Sequence, residues 1–94
     1  MAVACAGKGA AYVGTYRNGV GQLDENGWTP VLEDQWVQFL LVDGDSLWIG
    51  TADGLFLKTD AGVQEVLAED VHALYREEGR LWVGTRSGLL EVVL

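Results

Sequence analysis

One histidine, one cysteine and 14 acidic side chains are the groups from which this 94-residue chain could build chemistry. His72 stands close to Glu69 and Asp70, where an imidazole and two carboxylates could begin a metal site or an acid–base pair. A metal centre needs further ligands, and no others lie nearby in sequence, so the residues imply no metal and no cofactor. The acidic pair Glu33-Asp34 reads as recurring in Glu69-Asp70, on loops at one rim of a repeated unit. Neighbouring carboxylates on a loop tip are solvated, a poor arrangement for acid–base work. No nucleophile motif is present, and the glycines match no phosphate-binding loop. A single cysteine, Cys5, excludes an internal disulfide and a cysteine-clustered zinc site. The four residues ahead of it are too few for a lipoprotein signal, so Cys5 reads as a small hydrophobe on a strand. The expectation is a protein with no catalytic residues.

Charge removes further functions. The net charge is −8, from 6 basic and 14 acidic residues, which suits neither a row of phosphates nor an anionic lipid surface. The longest purely aliphatic and aromatic run, Phe39-Leu40-Leu41-Val42, is too short to span a bilayer. Neither nucleic acid nor membrane is expected as a partner. With no targeting segment, the chain as written is expected in the cytoplasm. An apolar share of 49% suffices for a core, and the length bounds the chain to one domain, residues 1–94.

The elements that would position any site come from a repeat. Ala11-Tyr12-Val13-Gly14-Thr15, Leu47-Trp48-Ile49-Gly50-Thr51 and Leu81-Trp82-Val83-Gly84-Thr85 are alike, each followed by a polar link and Gly19, Gly54 or Gly88. Gly14 and Gly50 are 36 residues apart, Gly50 and Gly84 34. A period of this size marks stacked supersecondary units. Each unit holds short runs rich in Val, Leu, Ile, Trp and Tyr between turns of Gly, Asn and Asp, which read as strands. No window carries the 3.6-residue spacing of an amphipathic helix. Four antiparallel strands in about 35 residues make one blade of a β-propeller. The class is therefore all-β, with blades at about 1–35, 36–70 and 71–94, the last lacking its outermost strand.

Leu47-Trp48-Ile49-Gly50-Thr51-Ala52-Asp53-Gly54-Leu55 and Leu81-Trp82-Val83-Gly84-Thr85-Arg86-Ser87-Gly88-Leu89 resemble the two-component-regulator propeller repeat. Its signature is a Leu-Trp-x-Gly-Thr strand, a turn and Gly-Leu. The first unit departs, with Tyr12 for the tryptophan and one more residue before Gly19. The resemblance implies a propeller of about seven blades in a complete ring. It also implies a parent protein in the extracellular or periplasmic sensor region of a bacterial histidine kinase. No kinase segment is present, so the sensing role is not carried over by the resemblance.

The repeated residues read as structural. Tyr12, Trp48 and Trp82 are expected between adjacent blades, where each would bury a large apolar area. Gly14, Gly50 and Gly84 let a neighbouring blade approach the backbone. Thr15, Thr51 and Thr85 are expected to bond to the turn that follows, and Gly54 and Gly88 to supply a positive φ. Asp43 and Glu77 read as solvated turn carboxylates. A ligand, if one binds, is expected at the rim formed by Tyr16, Arg17, Asp53 and Arg86 on one set of turns and Trp36 and Asp70 on the facing loops. Trp36 breaks the repeat, since Asp70 stands at the matching position.

A blade buries its faces only against other blades, and a ring needs at least about four of them. The expected function is therefore assembly, with other copies of the chain closing a ring. Two copies would give about six blades and three about nine, the first being preferred. The alternative is a ligand- or partner-binding piece of a sensor propeller.

Overall fold

The computed structural model describes residues 2–7, 10–15, 19–44 and 46–94, with side chains described from residue 11 onward. Eleven strands follow one another: β1 (Ala2–Gly7), β2 (Ala10–Thr15), β3 (Gly19–Asp24), β4 (Gly27–Leu32), β5 (Val37–Asp43), β6 (Ser46–Thr51), β7 (Leu55–Thr59), β8 (Gly62–Leu67), β9 (Val71–Glu77), β10 (Arg80–Thr85) and β11 (Gly88–Val93). They form three antiparallel meanders, β1-β2-β3-β4, β5-β6-β7-β8 and β9-β10-β11. There is no helix among the described residues.

Glycine and small polar residues set the turns. Asn26 donates its backbone N–H to Asp24 Oδ1 at 2.8 Å, an Asx-type turn that passes into Gly27 at φ 109°. Ala61 N donates to Thr59 Oγ1 at 3.2 Å ahead of Gly62 in the same way. The inner strands β1, β5 and β9 approach one another, with β2 against β5 and β6 against β9, so the sheets stack face to face along their inner edges.

Between the sheets lie two cores. The first joins Tyr12 and Val20 to Val37, Leu40, Leu47 and Ile49. The second joins Trp48 and Leu55 to Val71, Leu74, Leu81 and Val83. Alternation along β6 explains the division: Leu47 and Ile49 face the first sheet, and Trp48 faces the third. Both faces of β6 are covered, whereas β10 is buried only at alternate positions, Leu81, Val83 and Thr85. Tyr12 and Trp48 thus sit between blades as expected. Trp82 does not; it lies half-buried on the outer face of the third sheet, where Nε1 donates to Glu77 Oε1 at 2.8 Å.

The glycines beside these aromatics are slots. A Cβ on Gly50 would come within 2.7 Å of Val71 Cγ1, and a Cβ on Gly14 would collide with the same atom of Val37. On Gly84 a Cβ would meet only Ala73, at an ordinary 3.5 Å. Asp43 is not a solvated turn residue. It receives Arg76 Nε at 2.7 Å and ties the second sheet to the third. Both side chains are about a third exposed, so solvent screening leaves the pair a modest stabilisation.

Candidate functional site

The threonine that closes each middle strand builds the rim. Thr51 is fully buried; its hydroxyl donates to Gly54 O at 2.9 Å and accepts the N–H groups of Asp53 and Gly54 at 3.2 and 2.9 Å. Thr85 repeats the pattern, donating to Gly88 O at 3.0 Å and accepting Ser87 N at 3.1 Å. Thr15 donates to Gly19 O at 3.3 Å. These bonds satisfy a buried hydroxyl and hold the turn in one shape. Of the two turn glycines, Gly88 has the expected positive φ, 130°. Gly54 does not; it is needed because a Cβ there would lie 2.7 Å from the carbonyl oxygen of Leu67.

Main-chain bonds dock each turn on a loop between sheets. Ala52 N donates to Trp36 O at 3.0 Å, Arg86 N to Asp70 O at 3.2 Å, and Gly19 N to Gln35 O at 3.1 Å. The structure therefore brings Trp36 beside Ala52 and Asp53, and Asp70 beside Arg86, in two equivalent pairs at one rim. Tyr16 and Arg17 lie outside the described residues. The two acidic pairs are not equivalent in register. Trp36 and Asp70 occupy one position, and the loop at 33–36 is a residue longer than that at 68–70, so Glu33-Asp34 falls out of step with Glu69-Asp70.

Asp70 meets side chains from two sheets. Its Oδ1 accepts Gln38 Nε2 at 2.6 Å, and its Oδ2 lies 3.5 Å from His72 Nε2. Gln38 belongs to the second sheet and His72 to the third, so the carboxylate is a tie between blades. Among the described residues, no three His, Cys, Asp or Glu side chains come together as metal ligands.

A cleft of about 460 Å³ lies at the first sheet, lined by Thr15, Val20, Trp28, Pro30, Glu33 and Asp34. The indole of Trp28 lies across Gly21, where any Cβ would strike the ring, yet the side chain is 53% exposed. Asp34 sits in the left-handed region at φ 59°, a conformation that aspartate tolerates. An open indole beside two carboxylates can accept a cation or a polar planar group. Sequence reasoning named neither Trp28 nor Pro30 as a cleft residue. The missing signal was Gly21, at a strand position where Phe56 stands in the second unit.

No family model matches the sequence, and no curated protein matches it. Among solved structures, the extracellular domain of the hybrid two component system BT3049 from B. thetaiotaomicron superposes with a TM-score of 0.83 at 22% identity. The match covers 99% of this chain and 14% of that one, so the chain spans about a seventh of its neighbour's length. The fold is thereby that of β-propeller blades, as the repeat with its Leu-Trp-x-Gly-Thr strands implies.

Proposed function

Taking propeller blades as the premise, we propose that this chain is a non-catalytic module that works by assembly, its open blade faces covered by those of other copies in a closed ring. One observation carries the reading. Leu55 is fully buried against the next sheet, whereas its repeat equivalent Leu89 is 68% exposed, with Tyr75 and Val93 also exposed on that face beside Glu77, Arg80 and Glu91. Exposed apolar side chains of this kind favour association in water. Two copies would supply about six blades and three about nine, and six lies well within the usual range for propellers. The reading requires no metal and no cofactor.

Light scattering coupled to gel filtration should give a mass that is a small multiple of 10.2 kDa. Folding and association would then be linked, so the thermal midpoint should rise with protein concentration. A folded monomer whose midpoint ignores concentration would end the proposal.

A second reading is favoured by the cleft at Trp28, Glu33 and Asp34 and by the solved neighbour, which is an extracellular domain of a two-component system. In that reading the chain is a ligand- or partner-binding piece of a sensor propeller outside the cytoplasm. Screening organic ammonium ions by thermal shift should then find a compound that raises the midpoint of the native chain but not of Trp28→Ala. Equal shifts in the two proteins would dismiss the cleft.

A further inference from the structure

We propose that Asn26 is a site of slow covalent self-modification and that the fold spares the like dipeptide at Asn18-Gly19. The Asn26 carboxamide closes onto the backbone nitrogen of Gly27 and reopens as aspartate or isoaspartate. The reaction depends on neither association nor a bound ligand.

Both asparagines of the sequence precede a glycine. Such a pair is reactive because the second residue has no Cβ to shield its nitrogen, and its backbone turns freely toward the side chain. The Gly27 nitrogen gives its proton to a solvent base and attacks Asn26 Cγ. A five-membered imide forms, the Cγ–Nδ2 bond breaks, and ammonia leaves with a proton from solvent. Water then adds to one of the two imide carbonyls. Addition at Cγ releases the nitrogen to the main-chain carbonyl and gives aspartate. Addition at the main-chain carbonyl leaves the chain running through Cβ and Cγ, an isoaspartate with one more atom in the backbone. Nothing is oxidised or reduced, and solvent water is the co-reactant.

The local chemistry is the same at both dipeptides, so the fold decides between them. Asn26 is exposed in the two-residue turn between β3 and β4, where Asp24 pairs with Gly27. Around Gly27, at φ 109°, a Cβ would meet nothing within 4 Å, so its peptide plane can rotate without displacing packed atoms. Asn18 lies outside the described residues, and Gly19 decides its case. Gly19 is buried, its N–H donates to Gln35 O at 3.1 Å, and a Cβ there would collide with Leu32 O. Its nitrogen must give up that bond and leave the docked loop before it can attack. Ring closure is fast only when the nitrogen reaches Cγ along the right approach, which a held amide does not. The two Asp-Gly pairs are restrained as well. Gly54 N is held by Thr51 Oγ1 at 2.9 Å, and the Asp43 carboxylate is paired with Arg76 Nε at 2.7 Å. An ionised carboxylate is also a poorer electrophile than a carboxamide. Either product at residue 26 puts a third carboxylate beside Asp24 and Glu25. Isoaspartate would also lengthen a turn that sets the register of β3 and β4.

The test holds the native chain at mildly alkaline pH and body temperature, digests it, and follows the exchange of NH2 for OH at each asparagine by fragmentation mass spectrometry. Asn26 should convert at least about tenfold faster than Asn18. In concentrated urea the two rates should converge, since neither amide is then held. Asn26→Ser, whose side chain cannot form the imide, should lose the acidic species that accumulates on ion exchange of the native chain. Equal rates at the two sites in the native chain would overturn the proposal, as would no conversion at Asn26 while the chain in urea reacts. A preference for Asn26 that persists undiminished in urea would overturn it too, because the fold would not be its cause.

Discussion

Trp48→Ala is expected to lower the unfolding free energy by about 3–5 kcal/mol, the usual range for emptying a buried indole site. Trp48 is only 3% exposed and packs in the core formed with Leu55, Val71, Leu74, Leu81 and Val83. That core is most of what joins the third sheet to the second, so the loss should show as reduced cooperativity as well as a lower midpoint. Trp82→Ala is the matched control. Urea denaturation at a concentration where the chain is unassociated should show a much smaller effect, because the outer face of Trp82 meets solvent there. Equal losses in the two variants would mean that the two repeat positions are equally packed, contrary to the structure.

Gly50→Val should be nearly as damaging for the opposite reason. The new Cβ would lie 2.7 Å from Val71 Cγ1 and 3.2 Å from Val71 Cβ. Val71 is fully buried and stiff at χ1, so it cannot swing away, and the first strand of the third sheet must move. Overpacking of this kind costs about 1–3 kcal/mol, sometimes more. Combining Gly50→Val with Val71→Ala should recover part of the loss, since the two sites share one space and their effects are not additive. A double variant as unstable as the sum of the singles would show that the clash is not the cause.

The same pair of positions separates what the residues alone determined from what the packing decided. The strand class, the turns and the repeat were legible because they are local. Alternating apolar residues with glycine at fixed offsets suit a pleated meander and no other element. The threonine bonds to the following turn were legible too, because donor and acceptor lie at most four residues apart. The rim candidates Trp36, Asp53, Asp70 and Arg86 could be placed from the same connectivity. The cleft could not, because the position of Trp28 over Gly21 is a contact across strands that no spacing announces.

Leu47-Trp48-Ile49-Gly50-Thr51 and Leu81-Trp82-Val83-Gly84-Thr85 are nearly the same sequence, and both form a strand with the same register to its neighbours. Only one of them has a sheet on each side. A residue's type and its place in a strand determine which face it points to, and that information is complete within a few residues. Whether the face meets water or another blade depends on chain about 16 to 35 residues away. That distant segment leaves Trp48 and Leu55 buried, Trp82 half-buried and Leu89 exposed, and Asp43 paired with Arg76 rather than with water.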